Sequence, residues 1–506
     1  MKRWSLLLML VLLQCSFASA ADVLDGFDSY VVEAMQERGV PGTSIAIIHN
    51  GDVLLSRGYG VTRLGGNDEV TATTRFPLAS ITKNFIATAI AILVEEENLN
   101  WDDPVVQHLP ELRFCDDYRT QHTTIRDLVC HRTGLERGDL LPSRDDVDQK
   151  QIVERVRYLQ PVSGLREKFT YNNLMFYVLG EVIARTSGTS WEEFVRSRLL
   201  TPLNMQSTST TRRAEPGESP TTIHQWIDEE LQPVELPEAA TKYTSPAGSI
   251  RSTSDDMAKW MLAAMAPDET NHRLLEFQTR RMMQTIHMSI PVTWNQEGNP
   301  YAARFYGTGL GWEVMDYRGR KLCFHGGSTG TVCAIMPEEN MGVTILTTRE
   351  WSQFPGMLMY DVLDALIDGP NAKWDREHWP FWKKVDTNPD GTREKKLAEA
   401  REELDAEQPP EIPTARFAGT YRCDLYGDLR ISLSDDQLML TFGANPPQPL
   451  AHWNRNTFYV RHPVRSFPHD DWFMEFQVVN DSSASVRIRR LSSSEPIPPF
   501  QRAAQP

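Results

Sequence analysis

Basic residues are scarce in this sequence relative to acidic ones, because 52 lysines and arginines face 68 aspartates and glutamates. The formal net charge of −16 disfavours a nucleic-acid partner, whose phosphates would repel such a surface. Cysteine is also scarce, with six in 506 residues, and one of them, Cys15, lies in the predicted leader. The odd number that remains argues against a fold built on disulfides, so the hydrophobic core must hold the structure together.

Long hydrophobic runs are missing as well, and the apolar run near the start extends only from Leu6 to Leu13. It follows a basic start and precedes small residues, which is typical of a signal peptide cut ahead of Ala21. A membrane-spanning helix would need about 20 apolar residues. We therefore predict a signal peptide over residues 1–20, an exported protein that is periplasmic or secreted, and no stable membrane span once the leader is removed.

The rest of the chain divides into a large α+β domain at residues 21–372 and a small β domain. Residues 24–42 carry apolar side chains at helical spacing, and Asn50-Gly51 joins two apolar runs as in a β-hairpin. Strand patterns return between residues 310 and 348 and are followed by a second helical pattern. These patterns predict an antiparallel sheet flanked by helices, with a helical insertion between.

The C-terminal part begins after a charged linker, which we place at residues 373–412. Short alternating strands then recur every 8 to 12 residues over residues 413–506. This spacing predicts a small β-barrel or sandwich.

Ser80 opens a third helical pattern, and Lys83 follows it by one helical turn, so both side chains share a helix face. Three residues further along that face lies apolar Ile86, so Lys83 should point inward, where desolvation lowers the pKa of an amine. A serine hydroxyl beside a proton-sharing lysine is an activated nucleophile. The N-terminus of the helix also favours negative charge on Ser80.

A second candidate nucleophile is Ser328 in the stretch HGGSTG, which contains the G-x-S-x-G pattern of a nucleophile elbow. An elbow requires a helix directly behind the serine. The apolar, β-branched residues 331–337 predict a strand instead. An α/β-hydrolase that uses Ser328 is therefore the weaker alternative.

Three segments, SITK at residues 80–83, YNN at 171–173 and HGG at 325–327, resemble the motifs of the serine β-lactamase and penicillin-recognising hydrolases. The similarity is to the class C and D-alanyl-D-alanine carboxypeptidase branch and spans roughly residues 24–370. The C-terminal part resembles a β domain often appended to such proteins. The resemblance implies a β-lactamase-like antiparallel sheet flanked by helices, with a helical subdomain and a small all-β domain behind it.

The resemblance also implies roles for these residues. Ser80 attacks a carbonyl, Lys83 and Tyr171 manage its proton, and Asn173 hydrogen-bonds the amide of the substrate. A neighbouring ammonium favours the phenolate of a tyrosine, so we expect Tyr171 to act as a base near neutral pH.

The HGG segment is expected to bind the substrate at a strand edge. The resemblance implies that Gly327 allows a close approach and that the backbone N–H of Ser328 pairs with that of Ser80 as an oxyanion hole. Many relatives have Lys-Thr-Gly here, whereas His325 is mostly neutral at pH 7. Recognition of a substrate carboxylate is therefore doubtful. Arg349 is an alternative cation, although an exposed arginine in a turn is the favoured interpretation.

We therefore predict a serine hydrolase that acts through an acyl-enzyme on a small-molecule or peptide substrate. The candidate substrates are D-amino-acid peptides, β-lactams and carboxylic esters. A catalytically weak binding or sensor module is the alternative. No phosphate loop or dinucleotide motif is found at a strand-to-helix junction, so no cofactor is predicted.

Some residues with suggestive chemistry are expected to be structural. His131 is interpreted as packing against or capping a loop. Cys323 and Cys333 lie symmetrically about the GGSTG turn and could face each other on paired strands, but two buried, unlinked thiols are the favoured interpretation. A group of histidines and aspartates near the C-terminus lacks the spacing of metal ligands, so no metal site is predicted. It comprises His462, His469, Asp470 and Asp471.

Overall fold

The computed structural model describes most of the chain beyond the predicted leader. The described ranges are 23–144, 146–211, 213–214, 220–227, 230–234, 245–266, 274–292, 303–369, 374, 389–402, 408–443, 445–461, 471–491 and 497–504. The predicted signal peptide lies outside them. Over these ranges, no helix has both the length and the apolar character that crossing a bilayer requires.

The first domain consists of strands and helices that alternate irregularly. Its strands are β1 (Gly42–His49), β2 (Asp52–Gly60), β3 (Phe76–Pro77), β4 (Ile223–Ile227), β5 (Glu230–Val234), β6 (Arg251–Ser252), β7 (Met288–Ser289), β8 (Tyr306–Thr308), β9 (Glu313–Tyr317), β10 (Arg320–Gly327), β11 (Thr331–Met336) and β12 (Met341–Thr347). Its helices are α1 (Phe27–Arg38), α2 (Thr82–Glu95), α3 (Val105–His108), α4 (Asp117–His122), α5 (Ile125–Val129), α6 (Gln149–Arg155), α7 (Leu174–Ser187), α8 (Trp191–Val195), α9 (Ser254–Met265), α10 (Phe277–Met283) and α11 (Phe354–Asp368).

The centre of this domain is an eight-stranded antiparallel sheet in the order β2-β1-β12-β11-β10-β9-β8-β7. The predicted hairpin joins β1 to β2, with Asn50 and Gly51 at φ values of 55° and 84°. Two consecutive positive φ values are those of a type I′ turn, which suits the twist of the strands. The opening helix α1 is also confirmed, and it ends where Gly39 adopts a left-handed conformation.

Helices cover both faces of the sheet. Helices α1 and α11 lie on one face, where their apolar residues meet alternate residues of the strands in a buried cluster that includes Phe27, Val31, Ile45, Val343 and Leu363. Helix α9 packs on the other face, and α2 and α7 pack against each other in the adjoining helical subdomain. The predicted α+β architecture, with its helical subdomain, is confirmed. Helix α2 is buried on nearly all sides, which explains its continuous apolar sequence.

The C-terminal domain is a closed eight-stranded barrel, so of the two predicted alternatives the barrel is right. Its strands are β13 (Gly419–Cys423), β14 (Gly427–Ser434), β15 (Gln437–Phe442), β16 (Gln448–Asn454), β17 (Thr457–Val460), β18 (Trp472–Val479), β19 (Ser482–Arg490) and β20 (Phe500–Arg502). Buried aromatic side chains pack together in this domain, among them Phe417, Tyr421, Phe458 and Phe476. An eight-stranded barrel is just wide enough for side chains to fill it.

A charged helix in the linker, α12 (Pro389–Glu402), lies against β4 of the first domain and contacts the barrel through two of its side chains. The guanidinium of Arg401 lies 4.8 Å from the ring centre of Trp453, and Lys396 Nζ donates to the carbonyl of Leu491 at 3.2 Å. Arg144 of the first domain donates hydrogen bonds to backbone carbonyls at the turn between β13 and β14, and this contact joins the two domains.

Candidate active site

Ser80 lies in a 3₁₀ turn, Ala79–Ile81, directly before α2, rather than within the helix itself. Ala79 has a φ of 46°, a left-handed value that is costly for a residue with a Cβ atom. The surrounding structure holds this turn in place, because Thr329 Oγ1 donates to the carbonyl of Pro77 and Thr331 Oγ1 donates to that of Leu78. Strained backbone of this kind is common at functional sites.

The hydroxyl of Ser80 is the point where two other polar side chains meet. Lys83 Nζ lies 3.0 Å and Tyr171 Oη 2.8 Å from Ser80 Oγ. Lys83 is 0% exposed, so the prediction that it points inward is confirmed. Its Nζ also donates to the carbonyl of Ala247 at 2.8 Å, a partner that the sequence did not reveal. The predicted nucleophile and its predicted proton carriers are therefore within hydrogen-bond reach of one another.

The protonation of Tyr171 differs from the expectation. Burial raises the pKa of Tyr171, and the hydrogen bond with Ser80 and the charge of Arg137 offset this only in part. A phenolate is poorly stabilised away from water, so the expectation that Tyr171 is a phenolate near neutral pH is wrong for the site without substrate. Tyr171 is a neutral phenol there and can donate a proton.

The two asparagines of the YNN segment have different contacts. Asn172 is fully buried, accepts from the backbone N–H of Leu174 at 2.8 Å and donates to the carbonyl of Glu136 at 2.6 Å. It therefore caps the start of α7. Asn173 is partly exposed, and its amide nitrogen donates to Asp139 at 3.0 Å. Of the two, Asn173 is the one whose amide remains accessible to a ligand.

The end of β10 carries the HGG segment to the turn that holds Ser80. His325 is nearly buried, and burial, with a smaller effect of the Lys83 charge, lowers its pKa to about 4. The prediction that it is neutral at pH 7 therefore agrees with its surroundings. Gly327 packs so closely that a Cβ atom there would lie 2.4 Å from the carbonyl oxygen of Leu78. Only glycine allows this approach.

Ser328 follows in a tight turn that leads into β11. Because a strand and not a helix follows it, the geometry of a nucleophile elbow is missing, as predicted. The hydrogen bonds of Lys83 and Tyr171 converge on Ser80 and not on Ser328. In the described part of the chain, neither Ser80 nor Ser328 donates its backbone N–H to a recorded acceptor. Both N–H groups are therefore available to a ligand.

His131 and Arg349 are both structural. His131 is buried, accepts from the backbone N–H of Asn172 at Nδ1 and lies 4.4 Å from the ring of Tyr171. His131 therefore has the packing role that was expected, and its ring supports the ring of Tyr171. Arg349 is only 8% exposed, so the interpretation as an exposed turn arginine is wrong. Its guanidinium donates to the carbonyl of Arg38 and lies 5.6 Å from the ring centre of Trp226.

A charged pair beside the site was missed from the sequence. The guanidinium of Arg137 lies 5.1 Å from the ring centre of Tyr171 and forms an ion pair with Asp139 at 2.6 Å. Asp139 in turn holds the amide of Asn173. The only signal was the ERGD stretch behind the segment CHRTGL, and such charges are ordinary in a loop. Only the fold brings this pair beside Tyr171 and Asn173.

No group of three or more potential metal ligands occurs in the described ranges. His462, His469 and Asp470 lie outside those ranges, while Asp471 is buried and accepts from the hydroxyl of Tyr459. The two central cysteines are confirmed as buried, unlinked thiols. In the ladder between β10 and β11, Cys323 pairs with Ile335 and Cys333 with His325.

Comparisons with known proteins agree with this arrangement. A family model described as Beta-lactamase matches residues 27–365, and one described as Domain of unknown function (DUF3471) matches residues 403–502. The chain is 28% identical over 448 residues to Unguisins hydrolase ungD of Aspergillus violaceofuscus, covering 81% of this chain and 77% of that protein. It is 24% identical over 342 residues to Protein flp of Staphylococcus aureus (strain MW2), covering 65% of this chain and 64% of that protein.

Two solved structures share the fold. The octameric penicillin-binding protein homologue from Pyrococcus abyssi covers 92% of this chain and 99% of its own, with a TM-score of 0.61 and 22% identity. EstCE1, described as a hydrolase with promiscuous acyltransferase activity, covers 69% of this chain and 99% of its own, with a TM-score of 0.58 and 18% identity. At these identities the structures support the fold alone. Because the family model extends over the whole region that contains Ser80, Tyr171 and Ser328, this chain belongs to the beta-lactamase family and is one of its serine hydrolases.

Proposed function

We propose that this protein cleaves amide or ester bonds in small molecules or peptides by forming an acyl-enzyme on Ser80. The observation that carries the proposal is the convergence of Lys83 Nζ and Tyr171 Oη on Ser80 Oγ, at 3.0 Å and 2.8 Å. A nucleophile needs a proton acceptor and a proton donor within this distance for the two halves of acyl transfer.

In the first half of the reaction, Ser80 Oγ bonds to the substrate carbonyl carbon as its proton passes to Lys83 in the neutral amine form. Burial of Lys83 supports this role, because desolvation disfavours the ammonium. The bond between the carbonyl carbon and the leaving group then breaks. Tyr171 donates its phenolic proton to the departing atom and regains one from Lys83. The raised pKa of Tyr171 supports a proton donor rather than a phenolate base.

Water completes the cycle by attacking the acyl carbon, with the same two residues carrying its proton to Ser80 Oγ. The backbone N–H groups of Ser80 and Ser328 are proposed to stabilise the oxyanion in both steps. In the described part of the chain, neither of these N–H groups donates to a backbone acceptor, which supports this assignment. Asn173 is proposed to hold an amide of the substrate.

The substrate range is proposed to favour esters and amides over molecules that must be held by a carboxylate. His325 supports this view, because a neutral imidazole replaces the cation of many relatives and burial keeps its pKa near 4. D-amino-acid peptides, β-lactams and carboxylic esters remain the candidate classes. The relative named Unguisins hydrolase ungD supports a hydrolase. An exported location, proposed from the leader pattern, would give access to extracellular substrates.

The test is peptide mapping of the natively expressed protein after labelling with a fluorophosphonate, beside Ser80→Ala and Ser328→Ala variants. We expect the label on Ser80 in the wild type and the Ser328 variant, none in the Ser80 variant, and an N-terminus at Ala21. Sustained hydrolysis of p-nitrophenyl acetate should follow the same pattern. A label on Ser328 would overturn the proposal. Rapid labelling without ester turnover would instead favour the binding or sensor module.

A further inference from the structure

One loop of the first domain, residues 136–144, reaches from the active site to the C-terminal barrel. At its first end, the carbonyl of Glu136 accepts from Asn172, and Asp139 accepts from the amide of Asn173. The guanidinium of Arg137 lies over the ring of Tyr171. This end of the loop therefore sets the surroundings of the side chains proposed to donate a proton and to bind an amide.

The other end of the same loop contacts the barrel through Arg144. Arg144 is 7% exposed, and its Nη1 donates to the carbonyls of Tyr426 and Asp428, each at 2.8 Å. Its guanidinium lies 4.9 Å from the ring centre of Phe442. The remaining donors, Nε and Nη2, bind the carboxylate of Asp146 at 2.8 Å and 2.6 Å. Every nitrogen of the guanidinium therefore donates a hydrogen bond, and the planar group is held in one orientation.

The loop between these ends is tightly held. Leu140 and Leu141 are buried, and backbone hydrogen bonds run from Leu141 to Gly138 and from Arg144 to Leu141. Gly138 has a φ of 63°, and a Cβ atom there would lie 2.8 Å from the side chain of Leu174 in α7. A loop packed in this way transmits a displacement of one end to the other, because close-packed interiors have little free space.

We propose that the C-terminal barrel is a working part of the active site, and that its β13–β14 turn positions Asn173 through Arg144 and the loop 136–144. The inference rests on the proposed function, in which Asn173 binds an amide of the substrate. Arg144 is a positioning residue, since it acts through Asp139 and Asn173. The barrel thereby selects substrates that carry an amide beside the scissile carbonyl.

This role predicts a selective defect rather than a general one. An ester without an amide does not use Asn173, and p-nitrophenolate departs without a proton from Tyr171, so such an ester reacts almost normally when the loop shifts. An ester with an amide loses a hydrogen bond that must be correctly placed, and misplacement by about 1 Å is worth up to about 100-fold. A substitution at the β13–β14 turn should therefore lower kcat/KM for the ester with an amide relative to kcat/KM for the ester without one.

The experiment compares p-nitrophenyl acetate with the p-nitrophenyl ester of N-acetyl-D-alanine, using the full mature chain. In Arg144→Met, we expect kcat/KM to fall about tenfold or more for the amide ester and less than about twofold for the acetate. Gly427→Ala perturbs the same contact from the barrel, because Gly427 has a φ of 75°, which is costly for a residue with a Cβ atom, and it lies between the two carbonyls that bind Arg144. It should cause the same selective loss. Arg422→Ala removes only an exposed ion pair between β13 and β14 beside the same turn and serves as the matched control.

A double-mutant cycle that combines Arg144→Met with Asn173→Ala shows whether Arg144 acts through the side chain of Asn173. If it does, Arg144→Met has little further effect on amide-ester hydrolysis in the Asn173→Ala background, because coupled residues are not additive. Equal losses on both esters, additive effects, or an unchanged ratio in both barrel-contact variants would overturn the inference.

Hydrogen exchange provides a readout that does not depend on turnover. In Arg144→Met, we expect faster exchange in peptides that cover residues 136–141 and 171–175, with the rest of the first domain unchanged. A wild type that hydrolyses neither ester would contradict the proposed function alone. In that case, unchanged exchange in these peptides would overturn the coupling, and selectively faster exchange would support it.

Discussion

The close approach of β10 to the turn that carries Ser80 leads to a specific prediction for two adjacent glycines. A Cβ atom on Gly327 would lie 2.2 Å from Thr331 Oγ1, 2.4 Å from the carbonyl oxygen of Leu78 and 3.2 Å from the Cβ atom of Ala79. The same atom on Gly326 would meet only the carbonyl oxygen of Thr331, at 3.8 Å. Gly327→Ala therefore perturbs the site, and Gly326→Ala is its matched control.

The magnitude follows from which atoms must move. The carbonyl of Leu78 is backbone and cannot rotate away, so β10 and the Ser80 turn must separate by about 0.6 Å to restore a contact of 3.0 Å. The first proposed oxyanion donor, the N–H of Ser80, lies in this turn, and the second, the N–H of Ser328, directly follows β10. Loss of one such donor costs about 100- to 1000-fold in kcat. The overpacking itself should lower the free energy of unfolding by about 1–3 kcal/mol.

The assay is kcat for p-nitrophenyl acetate, with thermal unfolding measured on the same samples. We expect Gly327→Ala to remain folded and to lose about 100-fold or more in kcat, while Gly326→Ala stays close to the wild type in both measurements. A folded Gly327→Ala variant with the kcat of Gly326→Ala would refute the reasoning. It would mean that the edge of β10 need not approach Ser80 for catalysis.

Two further predictions concern neighbouring side chains of the site. Asn172→Ala should lower the free energy of unfolding by about 1–3 kcal/mol, because Glu136 and Leu174 lose a buried partner. Asn173→Ala should instead leave stability unchanged and lower kcat/KM for an amide-bearing ester by about 10- to 100-fold. Urea unfolding and ester kinetics separate the two, and a reversed pattern would contradict the division of roles. Since the pKa of His325 is lowered to about 4, the unfolded chain takes up a proton on this residue below about pH 6.5 and the native chain does not. Wild-type stability should therefore fall between about pH 6.5 and 4, by at most about 3 kcal/mol from this residue, and His325→Gln should flatten that slope in urea unfolding; equal slopes would count against the prediction.

Several features of the fold could be predicted from short stretches of sequence. The inward direction of Lys83 follows from its spacing to Ile86, since residues three apart share a helix face. The hairpin at Asn50-Gly51 follows from the preference of these residues for positive φ. The strand behind Ser328 follows from β-branched residues and correctly disfavours a nucleophile elbow. In each case the deciding interactions lie within one turn, one helix or one hairpin.

Other properties of the site could not be predicted, because they depend on burial and on residues distant in sequence. The protonation of Tyr171 is set by desolvation, which no local pattern reports. The sequence around Arg349 indicates an exposed turn residue, yet packing against Trp226 buries it. The carbonyl of Ala247 that accepts from Lys83 carries no side-chain signature at all. Backbone acceptors and degrees of burial become visible only when the chain is folded.

The sequence by itself determined the two-domain division into an α+β domain and a small β domain, the main elements of the sheet, and the side chains that meet at Ser80. Periodicity, turn chemistry and the order of three motifs were sufficient, because these are properties of neighbouring residues or of the family. The tertiary structure alone decided that Arg137 and Asp139 border the site and that Arg144 ties their loop to the barrel. The contact between Arg144 and Tyr426 joins residues 282 positions apart. Its partners are backbone carbonyls, so no pattern along the chain could have revealed it.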